Sequence, residues 1–333
     1  MLKFLLYWIT FHTLGRLPLS FLYSLMGATA WVAYQLAPGV RRNIHDNLRH
    51  VMPDAAERQV RRAAKQVLRN VALYYADVAH LPRLDLARFF EERFVFHGLD
   101  EHLRPAIAEG DGVIILSAHY GNPELGVQAL AHVGIHVFAL TEPVHPRMSK
   151  LMDEFRASKG HTFGPVSRGN VKRVFQTLKR GGVVALMGDR DIEGPKEMLP
   201  FFGVPALMPT GPIEVGLRTG ATVLPCFCIR KSKYVLEAWV EEPLRLERTG
   251  DFEADVRMAM LEYIERLEAR LRAHPGQWVV LEKIWDTPSA VEEPRAIEAS
   301  TDARAETVAQ HPAPPDSLAK VQGSTRDRRG CSE

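Results

Sequence analysis

The stretch LSAHYGNPELG, residues 116–126, contains a histidine and a glutamate whose types and spacing could perform acid–base chemistry. His119 follows an apolar run, and Glu124 comes a few positions later. A histidine side chain titrates near neutral pH, so it can remove a proton from a hydroxyl group while the oxygen attacks. A carboxylate at the second ring nitrogen fixes the tautomer and stabilises the imidazolium. The pair therefore predicts general-base catalysis by His119 with Glu124 as its partner.

A plain turn between a strand and a capped helix is the alternative for the same stretch. Asn122 is a favourable N-cap, Pro123 suits the first helical position, and Glu124 in the first turn is favoured by the helix dipole. None of these preferences requires an imidazole at position 119. A metal site ranks below both readings, because no third ligand stands at helical or strand spacing nearby.

Short apolar runs must position these residues. The runs at 112–117, 136–142 and 183–189 are typical of strands buried on both faces of a sheet. Two further runs on either side of Lys231 to Lys233 predict a hairpin. Helical patterns lie between or after the runs: they start at Asn122 and Asn170, and they cover Arg147 to Lys159, Pro212 to Arg218 and Asp251 to Arg272.

This alternation predicts an α/β fold with a mostly parallel or mixed central sheet flanked by helices. In such sheets the site lies beyond the carboxyl ends of the strands. His119, Glu142 and Asp189 all fall at such ends. The α/β core is expected over residues 94–286.

The N-terminal part of the chain is unusually apolar. No residue from 17 to 37 is charged, so residues 1–40 predict an apolar helical membrane anchor that spans the bilayer or lies on it. A buried helical hairpin is the alternative. Residues 41–93 form a basic amphipathic helical segment, whose arginines favour anionic headgroups. Residues 287–333 contain five prolines and no aromatic residue, which predicts a disordered tail.

Charge and cysteine content exclude some classes of function. The 42 Lys and Arg residues nearly balance the 40 Asp and Glu residues, so the net charge of +2 does not indicate a nucleic-acid partner. The three cysteines form no paired framework and no zinc spacing, which fits a reducing compartment. Arg41 and Arg42 after the apolar segment indicate the cytoplasmic face of the plasma (inner) membrane. No dinucleotide or phosphate-loop motif is present, so no cofactor is expected.

Four blocks in chain order resemble one known family. His119 and Glu124 look like the His-x4-Asp/Glu motif of the glycerolipid acyltransferase superfamily. The other blocks are RRNIHDNLRHVMPD, MGDRDIEGPKEMLPFFGVPALMPTGPIEVGLRTGATVLPCF and HPGQWVVLEKIWDTP. They are similar to the branch that contains the lipid A late acyltransferases and the phosphatidylinositol mannoside acyltransferases. The resemblance covers residues 1 to 286.

The resemblance implies a single glycerolipid-acyltransferase-like domain and a specific reaction. A fatty acyl chain would move from acyl carrier protein or coenzyme A to a hydroxyl of a membrane glycolipid. The acceptor supplies the nucleophile, and consistently the sequence has no G-x-S-x-G motif. The expected partners are the lipid acceptor, the thioester donor and the membrane surface.

The resemblance also suggests residues that bind substrate beside the catalytic His119 and Glu124. Arg156 could hold a phosphate or sugar hydroxyl, and Phe201 to Gly203 could line the acyl channel, although the phenylalanines could equally be core. Backbone N–H groups near Gly121 and Asn122, or the Arg190 side chain, could stabilise the oxyanion. The full set of expected substrate-binding residues is Asn122, Arg156, Asp189, Arg190, Glu197, Phe201 and Gly203.

Other functions remain open from the sequence. One is a lysophospholipid or glycerol-phosphate acyltransferase, and another is a hydrolase that uses water as the acceptor. A third, from a different class, is a non-catalytic membrane-binding homologue that keeps the fold. The presence of both His119 and Glu124 counts against that third function.

Overall fold

Seven strands build one central sheet, and two more form a separate hairpin. The sheet strands are β1 (Phe94–His97), β2 (Val113–Ser117), β3 (Val137–Thr141), β4 (Thr162–Pro165), β5 (Val183–Met187), β8 (Thr222–Arg230) and β9 (Leu236–Val240). The hairpin strands are β6 (Lys196–Phe201) and β7 (Val204–Pro209). The structure is a computed structural model that describes residues 13–142, 146–190 and 194–285.

The sheet order is β1-β9-β8-β2-β5-β3-β4. All neighbouring strands are parallel except β8 and β9, which form the antiparallel pair predicted around Lys231 to Lys233. The predicted strands at 112–117, 136–142 and 183–189 are β2, β3 and β5, and every residue of β2 is buried. The α/β prediction with a mostly parallel sheet is therefore confirmed.

Helices surround the sheet and form the N-terminal part of the described chain. They are α1 (Leu19–Leu36), α2 (Pro38–Val51), α3 (Glu57–His80), α4 (Leu86–Arg93), α5 (Arg104–Glu109), α6 (Pro123–His132), α7 (Pro146–Arg156), α8 (Arg168–Leu178), α9 (Gly211–Thr219) and α10 (Phe252–Ala273). The helix expected at Asn122 begins as predicted, because the Asn122 side chain accepts a hydrogen bond from the Leu125 N–H. The helix expected at Asn170 begins two residues earlier, behind a Ser167 cap.

The apolar N-terminal segment differs from the membrane-anchor prediction. Among the helices that the structure describes, none combines the length and hydropathy needed to cross a bilayer. The corresponding helix is α1, whose Ser20, Ser24, Thr29 and Gln35 lower its mean hydropathy. The side of α1 that carries Leu22 and Tyr23 packs against α3. Of the predicted anchor over 1–40, the first twelve residues lie outside the described part of the chain.

The described residues all fall within one compact unit, Met1–Thr287. The core on one side of the sheet contains buried residues of β2, β5, α9 and α10, together with the hairpin of β6 and β7. The segment predicted to be a disordered tail, 287–333, lies outside the described residues.

Candidate active site

The register of two neighbouring strands brings His119 and Asp189 together. Ser117, the last residue of β2, lies opposite Met187, the last residue of β5. Each of the two segments continues for two residues past the end of its strand, so His119 and Asp189 lie at the same level. His119 Nδ1 lies 2.8 Å from Asp189 Oδ1, and the His119 backbone N–H donates to Asp189 Oδ2 at 3.0 Å. His119 is thus bonded to Asp189 twice, once through its imidazole and once through its backbone N–H.

Asp189 is fully buried and remains ionised. Burial alone would raise the pKa of this carboxyl, but the charge of His119 and the hydrogen bonds from His119 and Trp278 hold the pKa below its usual value. The Trp278 indole N–H donates to Asp189 Oδ2 at 3.0 Å. Because an ionised carboxylate can only accept, Nδ1 of His119 carries a proton, and the neutral form of this imidazole has its lone pair on Nε2. Within the described part of the chain, Nε2 has no hydrogen-bond partner, and the side chain is 23% exposed.

Glu124 does not hold His119, which corrects the predicted pairing. Its carboxylate is 4% exposed and accepts from Arg156 Nε at 2.7 Å and from the Tyr74 hydroxyl at 3.3 Å. Gln128 donates to the other oxygen at 3.0 Å. The first turn of α6 turns Glu124 toward α3 and α7, whereas His119 faces β5. Proximity along the chain was a poor guide here, because a helix start redirects each successive side chain.

Arg156, expected to bind substrate, is the main partner of Glu124. Its guanidinium also donates to the Tyr74 hydroxyl at 2.9 Å, and its side chain is only 13% exposed. Burial would lower the pKa of Arg156, but Tyr74 and Glu124 raise it, so the guanidinium stays charged. Burial raises the pKa of Tyr74, which therefore stays a neutral hydroxyl. These three side chains form a closed ionic cluster beside the turn that carries His119.

In the turn between His119 and α6, two backbone N–H groups donate to carbonyls of other segments of the protein. Gly121 N–H donates to the Gln277 carbonyl at 2.7 Å, and Asn122 N–H donates to the Cys228 carbonyl at 2.9 Å. These two N–H groups were expected to stabilise an oxyanion, and the structure gives them other acceptors. The Asn122 side chain is buried and bonded to Leu125 N–H and Asp77, so it faces the interior and away from any substrate.

Arg190 lies at the same edge of the sheet and keeps one free donor. Its terminal nitrogens pair with Glu142, at the end of β3, and with Glu282, the latter at 3.0 Å. Its Nε is buried and has no hydrogen-bond partner among the described residues. Burial of an unpaired N–H is costly unless a ligand or water satisfies it. Of the groups expected to stabilise an oxyanion, Arg190 is therefore the one with a donor that has no acceptor among the described residues.

The remaining predicted substrate residues lie on the hairpin of β6 and β7. Glu197 pairs with Arg257 at the surface. Phe201 is fully buried and packs against Trp278 and Trp285, so it is a core residue of the described structure. Gly203 has φ +75° and completes a two-residue turn with Phe202, where positive φ favours glycine. Phe201 thus contacts the site through Trp278.

Trp278 and Tyr74 contribute to the site but were not predicted from the sequence. Trp278 belongs to the block HPGQWVVLEKIWDTP, which resembles the family. Its place in that block was the only indication in the sequence that it could belong to the site. Tyr74 lies in a helix of regular amphipathic pattern, where an aromatic residue is expected to be core. Among the described residues, no group of three or more His, Cys, Asp or Glu side chains could hold a metal ion.

An apolar cavity lies directly beneath the His119 turn. Its empty volume is about 390 Å³, part of it open to solvent. Ser117 and Pro123, on either side of the turn, belong to its lining. Val127, Leu130 and residues of β8 and β9 continue the wall between α6 and the sheet. The lining includes residues on both sides of His119 in the sequence but not His119 itself.

Fold and site together define a class of protein. It is an α/β protein with a histidine–aspartate pair at the carboxyl edge of parallel strands, a site that can activate a hydroxyl group.

The chain belongs to the bacterial lipid A biosynthesis acyltransferase family, which matches residues 1–287. It is similar to the phosphatidylinositol mannoside acyltransferase of Mycobacterium tuberculosis, with 26% identity over 284 residues that cover 78% of this chain and 87% of that protein. The corresponding enzyme of Mycolicibacterium smegmatis is 25% identical over 227 residues, 66% of this chain and 70% of the relative. The lipid A biosynthesis lauroyltransferase of Escherichia coli is 24% identical over 240 residues, 68% and 75% of the two chains.

Proposed function

We propose that this protein transfers a fatty acyl chain from an acyl carrier protein or coenzyme A thioester to a hydroxyl of a membrane glycolipid. The observation that carries the proposal is the His119–Asp189 pair, in which the buried carboxylate fixes Nδ1 as the donor. The chain belongs to a family of lipid A biosynthesis acyltransferases. The proteins it is similar to include phosphatidylinositol mannoside acyltransferases. The acceptor is accordingly a lipid A-type or phosphatidylinositol mannoside-type glycolipid.

In the proposed reaction, Nε2 of His119 removes the proton from the acceptor hydroxyl as its oxygen attacks the thioester carbonyl. The tetrahedral intermediate then collapses, the C–S bond breaks, and the imidazolium returns the proton to the leaving thiolate. Asp189 stabilises the imidazolium through the bond at Nδ1. Arg190, through its unpaired Nε, is the proposed donor to the oxyanion.

The apolar cavity beneath the turn supports a lipid donor. Binding pockets for apolar ligands are concave and lined mostly by apolar side chains. Ser117 and Pro123 belong both to the cavity wall and to the segment that carries His119. An acyl chain that enters the cavity is therefore proposed to place its carbonyl near the imidazole. A pocket of this kind would serve a lysophospholipid acyltransferase equally, so the glycolipid acceptor rests on the family and its relatives.

The decisive experiment uses purified protein, a total bacterial lipid extract and radiolabelled palmitoyl thioesters of both coenzyme A and acyl carrier protein. Wild type should transfer label to a polar glycolipid, and His119→Ala should reduce the rate by about 10²–10⁴-fold. His136→Ala is the matched control, because His136 is exposed and precedes β3 at the opposite edge of the sheet. Release of free fatty acid without labelled lipid would establish the hydrolase function instead.

The surface of α1 supports work at a membrane. Phe21, Trp31, Val32 and Leu36 are 56%, 62%, 44% and 76% exposed on the side of the helix that faces away from α3. Basic groups adjoin its C-terminal half, since Arg41 and Lys65 each lie 5.5 Å from the Tyr34 ring. Apolar side chains beside basic ones suit a helix that lies in the plane of an anionic bilayer.

The proposal places this surface on the cytoplasmic face of the plasma membrane, where cysteines stay reduced; Cys226 and Cys228 are free thiols. Vesicle sedimentation tests it. Wild type should bind vesicles that contain phosphatidylglycerol, and the double variant Trp31→Ser, Leu36→Ser should bind several-fold more weakly. The control is Met258→Ser, which removes an equally exposed apolar side chain from α10. Equal binding by all three proteins would contradict a membrane role for α1.

A further inference from the structure

A buried carboxylate that the proposed reaction does not use lies behind the His119 turn. Asp77, on α3, is 4% exposed and is the acceptor of three side-chain donors. Asn122 Nδ2 donates to Oδ2 at 2.6 Å, Arg230 pairs with the same oxygen, and the Tyr23 hydroxyl donates to Oδ1. These donors come from α1, from the end of β8 and from the cap of α6. One carboxylate thus joins four elements that are far apart in the chain.

Asn122 connects this cluster to the turn that presents His119. Its Oδ1 caps α6 by accepting from Leu125 N–H at 3.0 Å, while its Nδ2 is held by Asp77. Gly121, the preceding residue, has φ +66°, and a Cβ there would lie 2.1 Å from the Cys228 carbonyl oxygen. Little space therefore remains for the turn to shift, and the Asp77–Asn122 bond holds it from the interior side.

Stability alone is a weak reason for such a cluster. A buried ion pair must offset the desolvation of both charges, and apolar residues of similar volume are often as stable or more stable. A buried polar network that is fully hydrogen-bonded does, however, specify one geometry of the groups it joins. The Asp77 cluster is placed where one geometry is needed, since the turn it holds must keep His119 in line with Asp189.

We propose that Asp77 is a positioning residue, which acts through Asn122 to fix the turn that presents His119 and is itself held by Tyr23 and Arg230. Through Tyr23 the position of α1 is connected to the same turn. The kinetic part of this proposal rests on the proposed acyl transfer, whereas the structural part does not.

The sharpest variant is Asn122→Ser. Serine is as good an N-cap as asparagine, so α6 keeps its cap. The shorter side chain cannot bridge to Asp77. We expect kcat to fall about tenfold with KM for donor and acceptor changed less than twofold. Tyr23→Phe, which removes one hydroxyl and keeps the ring, should lower kcat by a smaller factor, about threefold.

Asp77→Asn, which removes the charge opposite Arg230, needs a matched control because it could destabilise the protein. The control is Asp255→Asn, since Asp255 is also a buried carboxylate and accepts from the Thr249 hydroxyl at 2.8 Å and from its N–H. The control should lower the melting temperature without changing kcat per folded molecule. Asp77→Asn should lower both.

Hydrogen–deuterium exchange provides a readout that does not need activity. In Asn122→Ser and Tyr23→Phe, amides of residues 119–125 should exchange several-fold faster, while those of 249–255 stay unchanged. Faster exchange of the turn with lower kcat supports the proposal, and wild-type kcat in Asn122→Ser overturns it. If wild type transfers no acyl group from either donor, the proposed function fails. The exchange rates of the turn then test the structural part of the proposal. Faster exchange supports it, and unchanged exchange overturns it.

Discussion

Two buried carboxylates close to His119 have opposite environments. Asp189 accepts from an imidazole, a backbone N–H and an indole, so its charge faces a base that can gain a proton. Glu124 accepts from a guanidinium, a hydroxyl and an amide, so its charge is already matched by the permanent cation of Arg156. Carboxylates of this kind can therefore serve different purposes within one site, one electrostatic and one architectural.

The difference shows that strand register, and not distance along the chain, determines which carboxylate contacts His119. Asp189 is 70 residues from His119 along the chain, yet their strands are neighbours and end at the same level. Glu124 is close in sequence, but it belongs to a helix whose first turn faces α3 and α7. The proposed mechanism depends on this assignment, because the orienting carboxylate is the one that His119 contacts.

The largest expected effect is that of Asp189→Asn. An asparagine amide can donate to Nδ1 and so favour the tautomer that leaves no lone pair for the acceptor hydroxyl. We expect kcat for acyl transfer to fall about 10²–10⁴-fold, while the protein still folds because the side chain keeps its shape. Steady-state kinetics on protein shown to be folded by circular dichroism checks this. Activity within threefold of wild type would remove Asp189 from the mechanism.

Glu124→Gln should show the reverse pattern. The Arg156 guanidinium loses its charged partner inside the protein, so the free energy of unfolding should fall by about 1–3 kcal/mol. The kcat of the folded enzyme should stay within about threefold of wild type. Urea denaturation and initial rates measure the two quantities. The double variant Glu124→Gln, Arg156→Gln removes both charges and should recover part of the lost stability; a large loss of kcat in Glu124→Gln would contradict the architectural role.

Trp278→Phe, which removes a hydrogen bond to Asp189, is expected to lower kcat by an intermediate factor. The substitution removes the indole N–H that donates to Oδ2 and keeps an aromatic ring against Phe201. A hydrogen bond to a charged group contributes about 1.5–3 kcal/mol, so kcat should fall about 10- to 150-fold. Phe201→Leu is the control, because it changes the packing of the same indole without removing a donor. If both variants lose activity equally, packing explains the contribution of Trp278.

The smallest expected effect is a pH dependence of stability. The folded-state pKa of Asp189 lies below its usual value, because the charge and hydrogen bonds of His119 outweigh burial. Its stabilising contribution is therefore complete above the unfolded pKa of about 4 and is lost as the pH falls through the folded pKa. The melting temperature of wild type should drop toward that of Asp189→Asn below pH 4. A gap that stays constant from pH 7 to pH 3 would contradict this.

Much of the fold is predictable from the sequence, because buried strands and capped helices leave local patterns. The apolar runs that form β2, β3 and β5 and the cap at Asn122 are of this kind. The hairpin of β6 and β7 is not, since Pro200, Pro205 and Pro209 lie within its strands and argue against them. These prolines are tolerated because the two strands pair with each other outside the central sheet.

The site is predictable only in part. His119 stands out because no local rule requires an imidazole after a strand. Its partner depends on which strands are neighbours and on where each ends, and a single sequence does not contain that order. The occupied N–H groups of Gly121 and Asn122 likewise depend on Gln277 and Cys228, which approach from distant parts of the chain.

The most direct test of the account is the tautomer of His119, measured by nitrogen-15 NMR on histidine-labelled protein and assigned from the signal that His119→Gln lacks. We predict the tautomer protonated at Nδ1 in wild type and in Glu124→Gln, and its loss in Asp189→Asn. The measurement requires no knowledge of the donor or the acceptor lipid. An unchanged tautomer in Asp189→Asn, together with a changed one in Glu124→Gln, would contradict the assignment of Asp189 as the partner of His119.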